Sequence, residues 1–406
     1  MDHPCKKPEE LSAVILRDVR TLKGNAQDDF APVVKDLKDW ILSDSGRKRD
    51  FETAIATAKS HDTAEMQDIE TLGQYLAFAS EQLHWIPTEA VRPKDLLHRL
   101  TTIWFVLDQP SVVDYQSQIR PIIGLDQETV KGLTWLSNWM VRYSNEIGRH
   151  MDTPASAAAL ATFKTSLTYK IDDYIEPRGG WKTFNEFFCR QIKPGRRPIV
   201  AIGDNSVLTS PADFEYRELQ LIAADSTVTT KGLTWPISQT LIDSPYKDRF
   251  ANGLWLHGFL NVDDYHRVHT PVSGRVLEAR IIKGQNYMHV EAAPNKARKG
   301  KRELTIPNET GYQFCQSRGL VIIDTGAGLV AVLPVGMALV SSVIMTAEVG
   351  AQLHKGEELG YFQFGGSDVV LILESRLNAE ITMVRGQHYQ MGSQIGRLNI
   401  STSDSG

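Results

Sequence analysis

The sequence predicts an α+β protein, an all-helical N-terminal domain followed by a mostly antiparallel β domain. Up to about residue 175, apolar residues recur at three- and four-residue spacing, the period of helices with one buried face. Beyond about residue 200 the texture changes to short β-branched runs separated by Gly and Pro, which read as strands and tight turns. Between them, Lys193-Pro-Gly-Arg-Arg-Pro198 is a turn-rich basic connector near the boundary, and the division falls at 1–178 and 179–406.

The helical stretches are Leu11–Leu22, Phe30–Leu42, Phe51–Lys59, Met66–Trp85, Leu96–Leu107, Val130–Ile147 and Ala155–Ile175. Pro87, Pro110, Pro121 and Pro154 punctuate them. Trp40, Trp85, Trp104, Trp135 and Trp139 lie in this half and read as packing core, with one or two lining an aromatic pocket as the sharper alternative. The strand runs are Gly274–Ile282, Leu320–Asp324, Leu329–Leu333, Ser342–Ala347, Val369–Glu374 and Ile381–Val384. Thr325–Ala347 is uncharged and long enough to span a bilayer, but its Gly, Pro and Ser-Ser interruptions read as buried strands and turns. No secretory signal is recognisable at the N-terminus, so a cytoplasmic protein without stable membrane insertion is expected.

Composition narrows the chemistry. With 44 Lys+Arg against 49 Asp+Glu the net charge is −5, which disfavours a nucleic-acid binder. Cys5, Cys189 and Cys315 cannot all pair and form no CxxC, which disfavours a disulfide scaffold and a structural zinc site. Gly326-Ala-Gly-Leu-Val-Ala331 fits a dinucleotide fingerprint, yet Leu-Pro-Val-Gly follows where a helix is required. His354-Lys355 resembles a pyridoxal-phosphate dipeptide or a carrier lysine, but it falls in a glycine-bounded turn.

Two segments carry more weight. His266 and His269 stand three apart in Asp264-Tyr-His-Arg-Val-His269, sharing a face on a helical turn but not on a strand. No third metal ligand is suitably spaced, so proton transfer suits the pair better than zinc. In Leu359-Gly-Tyr-Phe-Gln-Phe-Gly-Gly-Ser-Asp368, a serine follows two glycines in a strand-like run. That reads either as a bulge or as a hydroxyl poised beside the Gly366 carbonyl.

Joined with Phe184-Asn-Glu-Phe-Phe-Cys-Arg190, Lys193-Pro-Gly-Arg-Arg-Pro-Ile199, Ser210-Pro-Ala-Asp213, Pro271-Val-Ser-Gly274 and Lys355-Gly-Glu-Glu-Leu-Gly360, these segments resemble the phosphatidylserine-decarboxylase family of pyruvoyl-dependent enzymes over about 180–390. The helical half resembles the extension of soluble fungal members, some of which decarboxylate L-tryptophan.

The resemblance implies autocatalytic cleavage between Gly366 and Ser367, with Ser367 attacking the Gly366 carbonyl, His266 as general base and Asp213 orienting it. Ser367 then becomes the pyruvoyl cofactor, whose ketone forms a Schiff base with the substrate amine. His266 or His269 returns the proton, and neither metal nor pyridoxal phosphate is required. The expected substrate is a free aromatic amino acid, L-tryptophan first. Phosphatidylserine is the alternative, and an unprocessed non-catalytic relative a third. The two fragments are expected to stay associated, in a possible homodimer. Asp368 stands where the family usually has Ser or Thr, and is expected to add negative charge beside the nascent ester.

Overall fold

Helix starts follow local chemistry in the computed structural model, which describes residues 30–89, 95–121, 132–230, 232–295, 299–307, 311–337 and 343–399. Helix α1 (Pro32–Leu42) opens on proline and buries Val33, Val34, Leu37 and Ile41 along one stripe. Asp44 caps α2 (Ser45–Ser60) by accepting from the Arg47 amide. Thr71 and Gln74 form a capping box on α3 (Leu72–Gln82). Helices α4 (Asp95–Leu107) and α5 (Trp135–Met151) complete the set of long helices among the described residues. The expected helix Leu11–Leu22, and Cys5, lie outside the described residues.

Ala155–Ile175 is not one helix. It divides into a 3-10 turn at Pro154–Ala157, a short α6 (Leu160–Lys164), a second 3-10 turn at Ile171–Asp173 and a two-residue strand at Tyr174–Ile175. Side-chain hydroxyls of Ser156, Thr162 and Thr165 bond back to nearby carbonyls, and Lys170 adopts φ +45°. Both compete with a continuous helical ladder. The short α7 (Phe184–Phe188) follows, capped by Thr183.

The β half contains strands β1 (Val207–Thr209), β2 (Phe214–Leu221), β3 (Leu254–Leu260), β4 (Arg267–His269), β5 (Gly274–Ile282), β6 (Arg318–Asp324) and β7 (Leu329–Met337). After these come β8 (Val343–Met345), β9 (Gln352–Leu353), β10 (Glu358–Phe362), β11 (Gly366–Leu373), β12 (Ala379–Ile381), β13 (His388–Tyr389) and β14 (Gln394–Leu398). An eight-stranded antiparallel sheet runs β9-β5-β6-β7-β11-β3-β2-β13, flanked by three-stranded sheets β8-β10-β4 and β12-β14-β1. The uncharged stretch from Thr325 thus enters the large sheet through β7 and a three-stranded sheet through β8. No helix among the described residues is long and apolar enough to cross a membrane.

The two faces of the large sheet bury different cores. Val369 and Leu371 of β11 join the apolar cluster shared with the helical half, including Trp139, Phe184 and Phe188. Val370 and Ile372 point the other way, into a cluster with Trp235, Trp255 and Phe314. This alternation sets the direction of every side chain near the start of β11.

Candidate active site

Ser367 lies in β11, opposite Gly336 of β7 and Leu260 of β3. It is fully buried, and its hydroxyl has no hydrogen-bond partner. A buried hydroxyl normally finds a partner, which sets this one apart from the backbone groups paired around it. Gly365, two residues earlier, has φ +147°, a conformation that glycine adopts and side chains resist.

Asp368 projects from the opposite face. Its Oδ2 lies 3.1 Å from His257 Nε2, and both side chains are buried. The Gln313 amide Nε2 lies 3.1 Å from the same His257 nitrogen and donates to Asp368 Oδ2 at 3.5 Å. The expectation of added negative charge beside the scissile bond is therefore corrected: strand alternation aims the carboxylate through the sheet, away from Ser367.

The two expected histidines separate as well, because Arg267–His269 is a strand. His266 is fully buried, stacked on Phe188 at 3.9 Å and edge-on to Phe362 at 6.4 Å. Phe188 also packs on Phe364, three residues before Ser367. Neither ring nitrogen of His266 has a hydrogen-bond partner. Burial, then the nearby Arg190 charge, holds its pKa well below the usual 6.5, with the Asp264 backbone opposing in part.

His269 is wired differently. Its Nδ1 lies 2.9 Å from the Gly356 carbonyl and its Nε2 3.0 Å from the Tyr265 hydroxyl. A carbonyl can only accept, so Nδ1 carries the hydrogen and Nε2 accepts from Tyr265. Burial lowers its pKa, while the Gly356 carbonyl, Glu358 and Asp213 oppose the shift.

Asp213 does not pair with His266. Its carboxylate accepts from Arg197 Nε at 2.9 and 3.1 Å and from Arg197 Nη2 at 2.6 Å, and from the Met391 amide at 2.8 Å. The expected Asp213–His266 hydrogen bond is absent among the described residues; Asp213 instead lies two residues beyond Pro211, whose carbonyl accepts from the His269 amide. Arg197, read from the sequence as part of a turn-rich basic connector, is buried in this pair. Arg197, Arg190, Tyr265 and His257 were missed because their burial depends on distant segments, although Arg190 and Arg197 sit inside motifs the sequence already marked.

Other motif readings resolve simply. Gly326-Ala-Gly328 is the turn between β6 and β7, and no helix follows. Lys355 is buried, donating to the Asp204 and Val207 carbonyls at 2.8 and 3.0 Å, so it is no exposed carrier lysine. Among the described residues no three His, Cys, Asp or Glu side chains gather as a metal site.

A sequence profile of phosphatidylserine decarboxylases matches residues 184–397. This chain belongs to the phosphatidylserine decarboxylase family. The match begins at the first residue of α7 and includes every site residue described above. Similar proteins include phosphatidylserine decarboxylase proenzyme 2 of Oryza sativa subsp. japonica, 30% identical over 66% of this chain and 42% of the relative. Proenzyme 3 of Schizosaccharomyces pombe is 32% identical over 57% of this chain and 23% of the relative. The proenzyme of Fusobacterium nucleatum is 28% identical over 59% and 73%. The chain thus spans less than half the length of the plant and yeast relatives. These relatives are named for phosphatidylserine, and none supports the expected closeness to tryptophan decarboxylases.

Proposed function

We propose that this chain is a self-processing, pyruvoyl-dependent decarboxylase with phosphatidylserine as its substrate. The observation that carries the reading is the buried, unpartnered Ser367 hydroxyl directly after two glycines, inside the region that matches the family. In this proposal Ser367 Oγ attacks the Gly366 carbonyl carbon, the C–N bond breaks, and an ester replaces the amide. The hydroxyl proton passes through a base to the freed amine. Loss of the Ser367 α-proton expels the Gly366 carboxylate and leaves dehydroalanine. Hydration and loss of ammonia then give the pyruvoyl group. The orphan hydroxyl and the side-chain-free approach at Gly365-Gly366 fit such a group. When present, the group supplies an electron sink for the carbanion left as carbon dioxide departs.

The base is assigned to His269 in place of His266. A base must hold a positive charge, and His269 has the Gly356 carbonyl, Glu358 and Asp213 to favour one. His266 has an aromatic cage and a neighbouring Arg190 that keep it neutral. It is assigned to move the proton at the reacting carbon during turnover.

A free aromatic amino acid, tryptophan first, is the second reading. It is favoured by the rings of Trp85, Phe184 and Phe188, all packed on Phe364 beside the scissile segment.

Intact mass and a carbon dioxide release assay test these readings. The 45.4 kDa chain should yield a fragment of about 4.5 kDa, the share of its last 40 of 406 residues. Ser367→Ala should leave one uncut species, and cleavage in that variant would refute the site. His269→Gln should block cleavage, whereas His266→Gln should be cut yet release carbon dioxide slowly. Activity on tryptophan but not on phosphatidylserine vesicles would reverse the substrate order. A wild-type chain that stays uncut would mark a non-catalytic relative.

A further inference from the structure

On the face of the sheet opposite Ser367, a cavity of about 510 Å³ lies between residues 114–120 and 132–134 of the helical half and the start of β6. Arg318 forms part of its wall and is 1% exposed. The guanidinium donates from Nε to the Thr240 carbonyl at 2.9 Å, from Nη1 to Gln316 at 2.6 Å and from Nη2 to Gln239 at 2.5 Å. All three acceptors are neutral. A guanidinium has five N–H groups, so each Nη retains one. None of its hydrogen-bond partners among the described residues is a carboxylate. A buried cation balanced only by dipoles is costly, and an anion in the cavity would offset that cost.

The remaining walls suit such an anion. Arg120 and Lys283 stand exposed at the cavity, and the buried Gln285 lines it as well. The carboxylate among the described lining residues is Asp114. Among the described lining residues, three cations against one carboxylate match a ligand bearing about two negative charges, as a phosphate monoester does near neutral pH. The volume is that of a small-molecule site.

We infer that this cavity binds a small phosphate dianion, either inorganic phosphate or a phosphomonoester. The site is separate from the processing chemistry. Arg318 is the cross-strand partner of Val335, and Val335 of Asp368. Directly paired residues share a face, so Arg318 lies on the Asp368 side and Ser367 on the other.

The test uses the purified full chain, with calorimetric titration and thermal unfolding in inorganic phosphate, glycerol 3-phosphate, glycerophosphocholine and sodium chloride at matched ionic strength. Phosphate or glycerol 3-phosphate should release or absorb binding heat and raise Tm with concentration, since a ligand held only by the folded state stabilises it. The inorganic and monoester arms distinguish the two sources. Arg318→Gln could fail to fold, so the exposed double variant Arg120→Gln/Lys283→Gln carries the test. It should bind roughly tenfold more weakly or worse, the loss of charge-assisted contacts. A response equal to that of sodium chloride, one confined to the diester, or one unchanged in the double variant would overturn the inference. Intact mass on the same samples reports cleavage independently, so either reading can fail without the other.

Discussion

At the scale of single residues, the imidazoles divide by their neighbours. His266 and His269 are both held below the usual 6.5, primarily by burial. A histidine with a depressed folded pKa is neutral in both states above pH 6.5. Below that, the unfolded chain takes up the proton first, so stability is lost as pH falls. His388 acts the other way, raised chiefly by its hydrogen bond to Asp264, but its side chain is 40% exposed and more screened. The urea midpoint should therefore drop as pH falls below about 6.5, and His266→Phe should flatten that drop. An unchanged slope in the variant would contradict the buried, neutral state of His266. The sequence made the pair conspicuous, yet the assignment of Asp213 to His266 failed. It failed because the carboxylate pairs with Arg197, which comes from a segment that reads only as a turn-rich basic connector.

At the scale of elements, strand alternation is the deciding rule. Ser367 and Asp368 are adjacent in sequence and point to opposite faces of β11, one toward the helix-covered core and one toward His257. Asp368→Ala should leave processing intact, as read by the mass of the small fragment. It should also cost about 1–3 kcal/mol in chemical denaturation, because His257 and Gln313 lose a buried partner. Blocked cleavage at retained stability would show that the carboxylate acts on the scissile bond after all. The period of the strands was legible in the sequence, including Gly274–Ile282 residue for residue. The broken helix over 155–175 was not, since hydroxyl back-bonding and the left-handed Lys170 leave no mark on apolar periodicity.

At the scale of the whole molecule, cleavage at 366/367 would leave the short fragment woven through the fold. Its β11 lies between β7 and β3 in the middle of the large sheet, β13 closes one edge of that sheet, and β14 pairs with β1 on one side and β12 on the other. The two products should co-elute under native conditions and separate only in denaturant. A free small fragment in native size-exclusion chromatography would contradict this. By itself the sequence determined the α+β class and the family and made the Gly-Gly-Ser segment conspicuous, because periodicity and linear motifs are local properties of a chain. Only the tertiary structure decided which partner each charge keeps. Arg197 meets Asp213, His257 meets Asp368 and Arg318 meets carbonyls alone, because burial makes an ionic group's cost depend on neighbours from far along the chain.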